Sequence, residues 1–200
     1  MSSYLGFLRN NISNLLHRNG IADKTLLELL KRFFPKPCRL LEAGSNTGHL
    51  SLALAKYGYS ITLLDCLEEP INAARRIFAG RGHEAEFIVD NILNVEGAWD
   101  GVWNTGVLQC YRGCDRQTLV EKLCSLAPAC LFVYPDVSHP SFQHTGSCNV
   151  TPGLAGCREY FTDDIPDLVA NYCQEIRNGQ LDARLTGVGF PFEYTYGSRR

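Results

Sequence analysis

The sequence predicts an α/β fold: a three-layer sandwich in which a mostly parallel sheet carries helices on both faces and ends in a C-terminal antiparallel hairpin. Three observations predict it. From Arg39 to Tyr134, short apolar runs alternate with segments whose apolar residues recur at helical spacing. Each of the first three runs ends at a carboxylate or a glycine turn rather than in further apolar residues. Near the C-terminus, Asn178-Gly179 separates two strand-like segments. Strands that alternate with helices bury both faces of a parallel sheet.

The elements follow in order. Tyr4–His17 places Leu5, Leu8, Ile12, Leu15 and Leu16 on one helical face, and Asn19-Gly20 ends it. Asp23 is expected to cap a second helix whose apolar face is Leu26, Leu27, Leu30, Phe33 and Phe34. Pro35 and Pro37 stop that helix. Arg39–Ala43 reads as a buried strand, Gly44–Gly48 as a turn, and His49–Tyr57 as a helix with Gly58 as its stop. Ser60–Leu64 is a second strand. A helix follows, with Pro70 in its first turn and Ile71, Ala74, Ile77 and Phe78 as its apolar stripe. Glu86–Val89 and Gly101–Asn104 are strands three and four. Asp115 is expected to cap a helix bearing Leu119, Val120, Leu123 and Leu126, and Leu131–Tyr134 is strand five. Pro135–Tyr160 shows no period, and a loop of that length in a compact domain is usually functional. Thr162 caps a short helix running through Leu168 to Tyr172. The hairpin pairs Gln174–Arg177 with an aromatic strand around Phe190–Tyr196 across a wide turn of Asn178-Gly179 and beyond.

Composition narrows the function classes. The chain has 200 residues, 45% of them hydrophobic, as expected of one globular domain with a real core. Its formal net charge is −2, so no basic excess is present to neutralise a phosphate backbone, and no nucleic-acid partner is expected. Arg75, Arg76 and Arg81 are read as a solvated helix face. Met1–Asn11 lacks the basic-then-apolar pattern of a signal peptide, and no apolar run is long enough to span a membrane. A soluble, cytoplasmic protein, monomeric or homodimeric, is expected. The nine cysteines are spread through strands and helices and read as reduced core residues. Their spacings match no standard zinc signature, and those of His139, His144, Cys148 and Cys157 match none either, so no metal is expected.

The informative segment is Leu40-Leu41-Glu42-Ala43-Gly44-Ser45-Asn46-Thr47-Gly48-His49-Leu50. Glycines after a buried strand let the backbone approach a ligand, and the helix beyond presents the positive end of its dipole. The dinucleotide fingerprint wants glycine at the first, third and sixth positions; here those are Gly44, Asn46 and His49. Glu42, two residues ahead of the first glycine, repels a pyrophosphate and attracts a cationic amino group.

This carboxylate–glycine turn resembles the first motif of the class I (Rossmann-like) S-adenosylmethionine-dependent methyltransferases, acidic-x-Gly-x-Gly-x-Gly, with Asn46 in the middle glycine's place. Two further acids fall where that family has them. Asp65 ends the second strand twenty-one residues after Gly44, and an acid about 20 residues on can hold both ribose hydroxyls. Asp90 ends the third strand beside Asn91; in the resemblance this pair meets the adenine edge. Trp99-Asp100-Gly101-Val102-Trp103-Asn104-Thr105-Gly106-Val107-Leu108-Gln109 is similar to the family's fourth-strand motif, whose turn lies beside the methyl group. The resemblance runs from Arg39 to Tyr134.

It implies a single methyltransferase domain over 1–200: N-terminal helices to 37, a cofactor-binding core over 38–134, and an acceptor loop with the hairpin over 135–200. It implies S-adenosyl-L-methionine as cofactor, held by Glu42, Gly44, Ser45, Asn46, Gly48, Asp65, Cys66, Asp90, Asn91, Asn104 and Thr105. Methyl transfer from a sulfonium is an in-line displacement needing alignment more than any one residue type. Acceptor residues are expected past strands four and five: Gln109, Tyr111, Arg112, Tyr134, Asp136 and His144, with His139 the candidate base. The short chain and the absence of a basic face favour a small-molecule acceptor. The competing readings are an NAD(P)-dependent reductase and a non-catalytic S-adenosylmethionine-binding domain.

Overall fold

The computed structural model describes residues 22–108, 111, 113–136, 165–181 and 191–199. The expected helix Tyr4–His17, the cap Thr162 and most of the aperiodic 135–160 segment lie outside them. Five strands alternate with helices as the periodicity predicts: β1 (Arg39–Ala43), β2 (Ser60–Asp65), β3 (Glu86–Val89), β4 (Gly101–Thr105) and β5 (Ala129–Pro135). They form one sheet with β6 (Glu175–Leu181) and β7 (Phe192–Ser198), in the order β3-β2-β1-β4-β5-β7-β6. The first five are parallel. Strand β7, which enters between β5 and β6, runs antiparallel to both. The order reverses at β1, whose neighbours β2 and β4 leave in opposite directions, so a crevice opens at the carboxyl end of β1.

Alternation within each strand assigns the two faces. Leu40, Leu63, Trp103, Leu131 and Val133 point to one core, shared with α1 (Ala22–Phe33), α2 (His49–Lys56) and α3 (Glu68–Gly80). Their sequence neighbours Leu41, Leu64, Val102, Cys130 and Phe132 point to the other, which α4 (Gly113–Leu126) and α5 (Ile165–Ala170) cover. Phe33 of α1 stacks on Tyr196 of β7 with ring centroids 4.2 Å apart. Among the described residues, no helix is long and apolar enough to cross a membrane.

Trp99, just ahead of β4, ties three segments together. Its indole Nε1 donates to the Thr62 hydroxyl at 2.9 Å, and that hydroxyl donates to Glu86 Oε2 at 2.9 Å. The Trp99–Thr62 bond is buried, so each break leaves a polar group short of a partner. Trp99→Phe and Thr62→Val are each expected to cost about 1–2 kcal/mol. Thermal melts of the pair should show the double variant losing less than the sum, because both remove one shared bond. Strict additivity would mean that the relay contributes nothing.

Several expectations need correction. Asp23 and Asp115 lie inside α1 and α4 rather than ahead of them; an acid is equally favourable in a first turn, beside the unpaired N–H groups, so residue type alone does not locate the cap. Ile77 is 39% exposed while Ile71, Ala74 and Phe78 are buried, so the stripe of α3 is narrower than its spacing suggests. The Asn178-Gly179 pair is not the hairpin turn. Strand β6 runs straight through it to Leu181, with Gly179 opposite Tyr194. A Cβ on Gly179 would fall 2.5 Å from the Tyr194 hydroxyl oxygen and 2.6 Å from its ring. The glycine makes room for a cross-strand aromatic, a use that a local reading cannot tell from a turn.

Candidate functional site

The crevice at the carboxyl ends of β1 to β4 holds a cavity of about 480 Å³, within the range of small-molecule sites. Its walls are Glu42, Gly44, Ser45, Asn46, Thr47, His49 and Leu50 from β1 and the start of α2, and Asp65 and Cys66 from β2. Asn91 and Ile92 follow β3, and Thr105, Gly106, Val107 and Tyr111 follow β4. Four successive strand ends thus contribute to one space.

The turn 44–48 is shaped by backbone demands. Gly44, Asn46 and Gly48 have φ of 75°, 49° and 64°. Asn is the side-chain-bearing residue that tolerates this left-handed region best. That explains Asn46 where the family motif has glycine: the position needs the conformation, and Asn supplies it. Gly44 also admits a neighbour, since a Cβ there would fall 2.4 Å from Val107 Cγ2. Gly44 and Ser45 both donate their N–H groups to the Leu64 carbonyl, at 2.8 and 2.9 Å. No side chain caps the following helix α2.

Glu42 is the strongest electrostatic feature. It occupies the Leu40 face of β1, only 6% exposed, and its Oε2 has no hydrogen-bond partner. Burial pushes its carboxyl up to about 8; the Asp65 charge adds to this and the His49 ring opposes it. A buried carboxyl with an unfilled acceptor, facing a cavity, is suited to a cationic donor. Asp65 plays a double part. Its Oδ2 accepts the Asn46 N–H at 2.9 Å and its Oδ1 the Leu67 N–H at 3.0 Å, so it fastens the glycine turn to the end of β2 while still facing the cavity.

Other predicted residues are placed differently. Gly48 is buried beneath the turn and does not line the cavity, though its conformation starts α2. Asp90 turns back on its own loop. Its Oδ1 accepts from the Asn91 N–H at 2.6 Å and from Asn94 Nδ2 at 3.1 Å, leaving Asn91 and Ile92 on the wall. An Asp that ends a strand closes its own turn readily, which competes with a ligand. Asn104 is fully buried, and both its amide Oδ1 and Nδ2 lack partners; it sits behind the wall beside Thr105. Tyr134 is drawn into the core, its hydroxyl 2.9 Å from Thr195 Oγ1 of β7. Asp136 is buried and accepts from Gln180 Nε2 at 3.0 Å. Both belong to the hairpin's attachment, because β7 inserts beside β5. Gln109, Arg112, His139 and His144 lie outside the described residues.

The sequence reading missed several residues. Thr47, Leu50 and Ile92 line the cavity without a chemical signal of their own, and His49 passed as a helix start. Arg116 passed unnoticed in the first turns of α4. It is fully buried, donating from Nε to the Leu108 carbonyl at 3.3 Å and from a terminal nitrogen to the Tyr111 carbonyl at 2.9 Å. It therefore holds the turn that brings Tyr111 to the cavity.

Comparison with known proteins agrees with this geometry. Residues 40–128 match the family model described as a methyltransferase domain. No curated protein matches the chain at the level of sequence. Among solved structures, the chain is similar to magnesium protoporphyrin IX methyltransferase (ChlM) from Synechocystis PCC 6803 with bound SAM. That match has a TM-score of 0.68 and 18% identity, and covers 89% of this chain and 78% of that one. It is also similar to the plantazolicin methyltransferase BpumL in complex with SAH, with a TM-score of 0.65 and 13% identity, over 100% of this chain and 90% of that one. TehB from Haemophilus influenzae matches with a TM-score of 0.64 and 16% identity, over 88% of this chain and 62% of that one.

Proposed function

We propose that this chain, whose residues 40–128 match a family model described as a methyltransferase domain, is a class I S-adenosylmethionine-dependent methyltransferase that methylates a small-molecule acceptor by in-line displacement. One observation carries the assignment of the site: the buried Glu42 carboxylate, with an unfilled oxygen, beneath a glycine turn in a cavity that four strand ends share. When bound, the cofactor supplies a methyl group activated by a positively charged sulfur. In this reading Glu42 holds the cofactor's amino group, and Gly44, Ser45 and Asn46 pass close to its amino-acid part. Asp65 and Cys66 flank the ribose. Asn91 and Ile92 take the base edge and face, a role that moves here from Asp90. Asn104 backs the Thr105–Val107 turn at the methyl end, and its unpartnered amide is available to orient a polar group there.

Tyr111 is the described residue best placed for the acceptor, since it lines the cavity beyond β4. Gln109 and Arg112 flank it in sequence, and His139 and His144 are candidates from the segment after β5. A base at His139 is required only when the acceptor atom carries a proton to be lost. Two features support a small acceptor. The cavity is of small-molecule size, and the structural relatives with bound SAM or SAH are named for methylating a magnesium porphyrin and plantazolicin.

Titration calorimetry against S-adenosylhomocysteine and NADH, followed by transfer of a labelled methyl group to a panel of small molecules, protein and RNA, tests this reading. Binding of the homocysteine analogue alone, with label in the small-molecule fraction, is expected. Tight NADH binding, or label only in macromolecules, would reject it.

Arg116 offers a sharper check on the acceptor side. Arg116→Met keeps the volume but removes both side-chain donors from the 108–111 turn, at about 1–3 kcal/mol in total. The variant should melt lower and lose turnover more than tenfold, while S-adenosylhomocysteine affinity changes less than threefold. Equal loss of binding and turnover would mean that the Leu108–Tyr111 turn supports the cofactor instead.

A further inference from the structure

A second cluster of reactive side chains lies at the opposite end of the sheet. Cys124 is near the end of α4, Cys130 is the second residue of β5, and Cys173 lies between α5 and β6. The cofactor crevice is at the carboxyl ends of the strands, whereas Cys130 is at the amino end of its own. All three thiols are buried, at 2%, 1% and 6% exposure. Their sulfurs converge: Cys124 to Cys130 is 3.2 Å, Cys130 to Cys173 is 3.8 Å, and all lie within 4.8 Å of one another. These residues come from segments up to 49 positions apart. Small apolar fillers have no reason to aim their sulfurs at one point.

From this geometry we propose that Cys124, Cys130 and Cys173 form a three-thiolate site for one soft metal ion of the copper(I) class. Metal–sulfur bonds of about 2.3 Å around a three-coordinate centre place the sulfurs about 4 Å apart. The triangle is close to that size, and closing it on an ion requires only small side-chain rotations. Thiolates select soft ions such as copper(I) and zinc. Structural zinc takes four ligands, and among the described residues no histidine, carboxylate or fourth cysteine joins the cluster. Three sulfurs in an apolar pocket suit a three-coordinate monovalent ion. Charge is partly offset by Arg199, whose guanidinium donates to the Ala127 carbonyl at 2.8 Å and lies near Cys124 and Cys173. Binding releases the thiol protons to solvent and changes no oxidation state.

The test titrates the reduced full-length chain with copper(I) held by a chromophoric chelator, and repeats it with Cys130→Ser, Cys173→Ser and the exposed Cys114→Ser. The wild type and Cys114→Ser should each retain one tightly held copper per chain and melt higher with it. Cys130→Ser and Cys173→Ser should lose at least tenfold in affinity, with S-adenosylhomocysteine binding intact. Copper retention by both variants, loss on Cys114→Ser, or equally tight binding of zinc would overturn the assignment. X-ray absorption of the copper-loaded wild type does not depend on variants folding: three sulfur neighbours are expected, and two, or any nitrogen or oxygen neighbour, would reject the site.

Discussion

Glu42→Gln is expected to weaken S-adenosylhomocysteine binding by about 10–100-fold at pH 8, as befits the loss of a charge-assisted hydrogen bond of about 1.5–3 kcal/mol. The same change should make the ligand-free protein more stable at that pH. The carboxyl titrates near 4.5 when unfolded and at about 8 when folded. Its folded value is raised, so its contribution is fully present below the unfolded value and is lost as pH rises through about 8. Wild-type stability should therefore fall across this window by about 5 kcal/mol at most, at about 1.4 kcal/mol per pH unit, which Glu42→Gln escapes, so the variant should have the higher melting point at pH 8. Binding has the opposite slope. Below pH 8 an arriving ammonium must displace the Glu42 proton, so affinity should rise close to tenfold per pH unit from 6 to 7.5. One proton should be released, visible by calorimetry in buffers of different ionisation enthalpy. A variant with unchanged affinity and an unchanged pH profile would remove Glu42 from the cofactor site.

Gly48→Ala should be strongly damaging to the turn. The position has φ +64°, and the added Cβ would fall 2.7 and 2.8 Å from the two methyl groups of Leu63, a fully buried core residue. The left-handed conformation costs about 1–2 kcal/mol for a residue with a side chain. Overpacking adds about 1–3 kcal/mol. The sum, about 2–5 kcal/mol, corresponds to a melting point lower by about 4–20 °C for a domain of this size. Cofactor affinity should fall with it, because the start of α2 and the wall residues Thr47 and His49 move together. Leu63→Ala creates room for the methyl group, so the double variant should be more stable than additivity of the two losses predicts. Gly80→Ala is the control: nothing lies within 4 Å of its Cβ, and φ is not left-handed there. It should be neutral or slightly stabilising. Equal effects at both glycines would show that the turn's conformation is not the constraint.

Much of the site could be read locally. The Glu42–Gly48 segment and Asp65 carry their signal in residue type and spacing, because a strand end, a left-handed turn and a helix start are each decided by a few adjacent residues. Asp90 shows where this reading ends. Its residue type suits both a ligand contact and its own turn, and the structure closes it onto Asn91 and Asn94. Ile92 and Val107 carry no chemical signal at all and reach the wall only because the chain turns there.

The alternation of apolar runs with helical stripes by itself determined the strands, their parallel order of connection and the carboxylate–glycine turn at the sheet's switch point. These properties have periods of two and of about four residues, which neighbouring positions are enough to define. Tertiary structure alone decided where β7 inserts, that Gly179 shelters a tyrosine instead of making a turn, that Arg116 holds the Tyr111 turn, and that three distant cysteines meet. Each of these depends on atoms brought together from far along the chain, and such proximity leaves no periodic mark in the sequence. Burial acts the same way: it raises the Glu42 carboxyl to about 8 through the dry surroundings that the folded sheet creates.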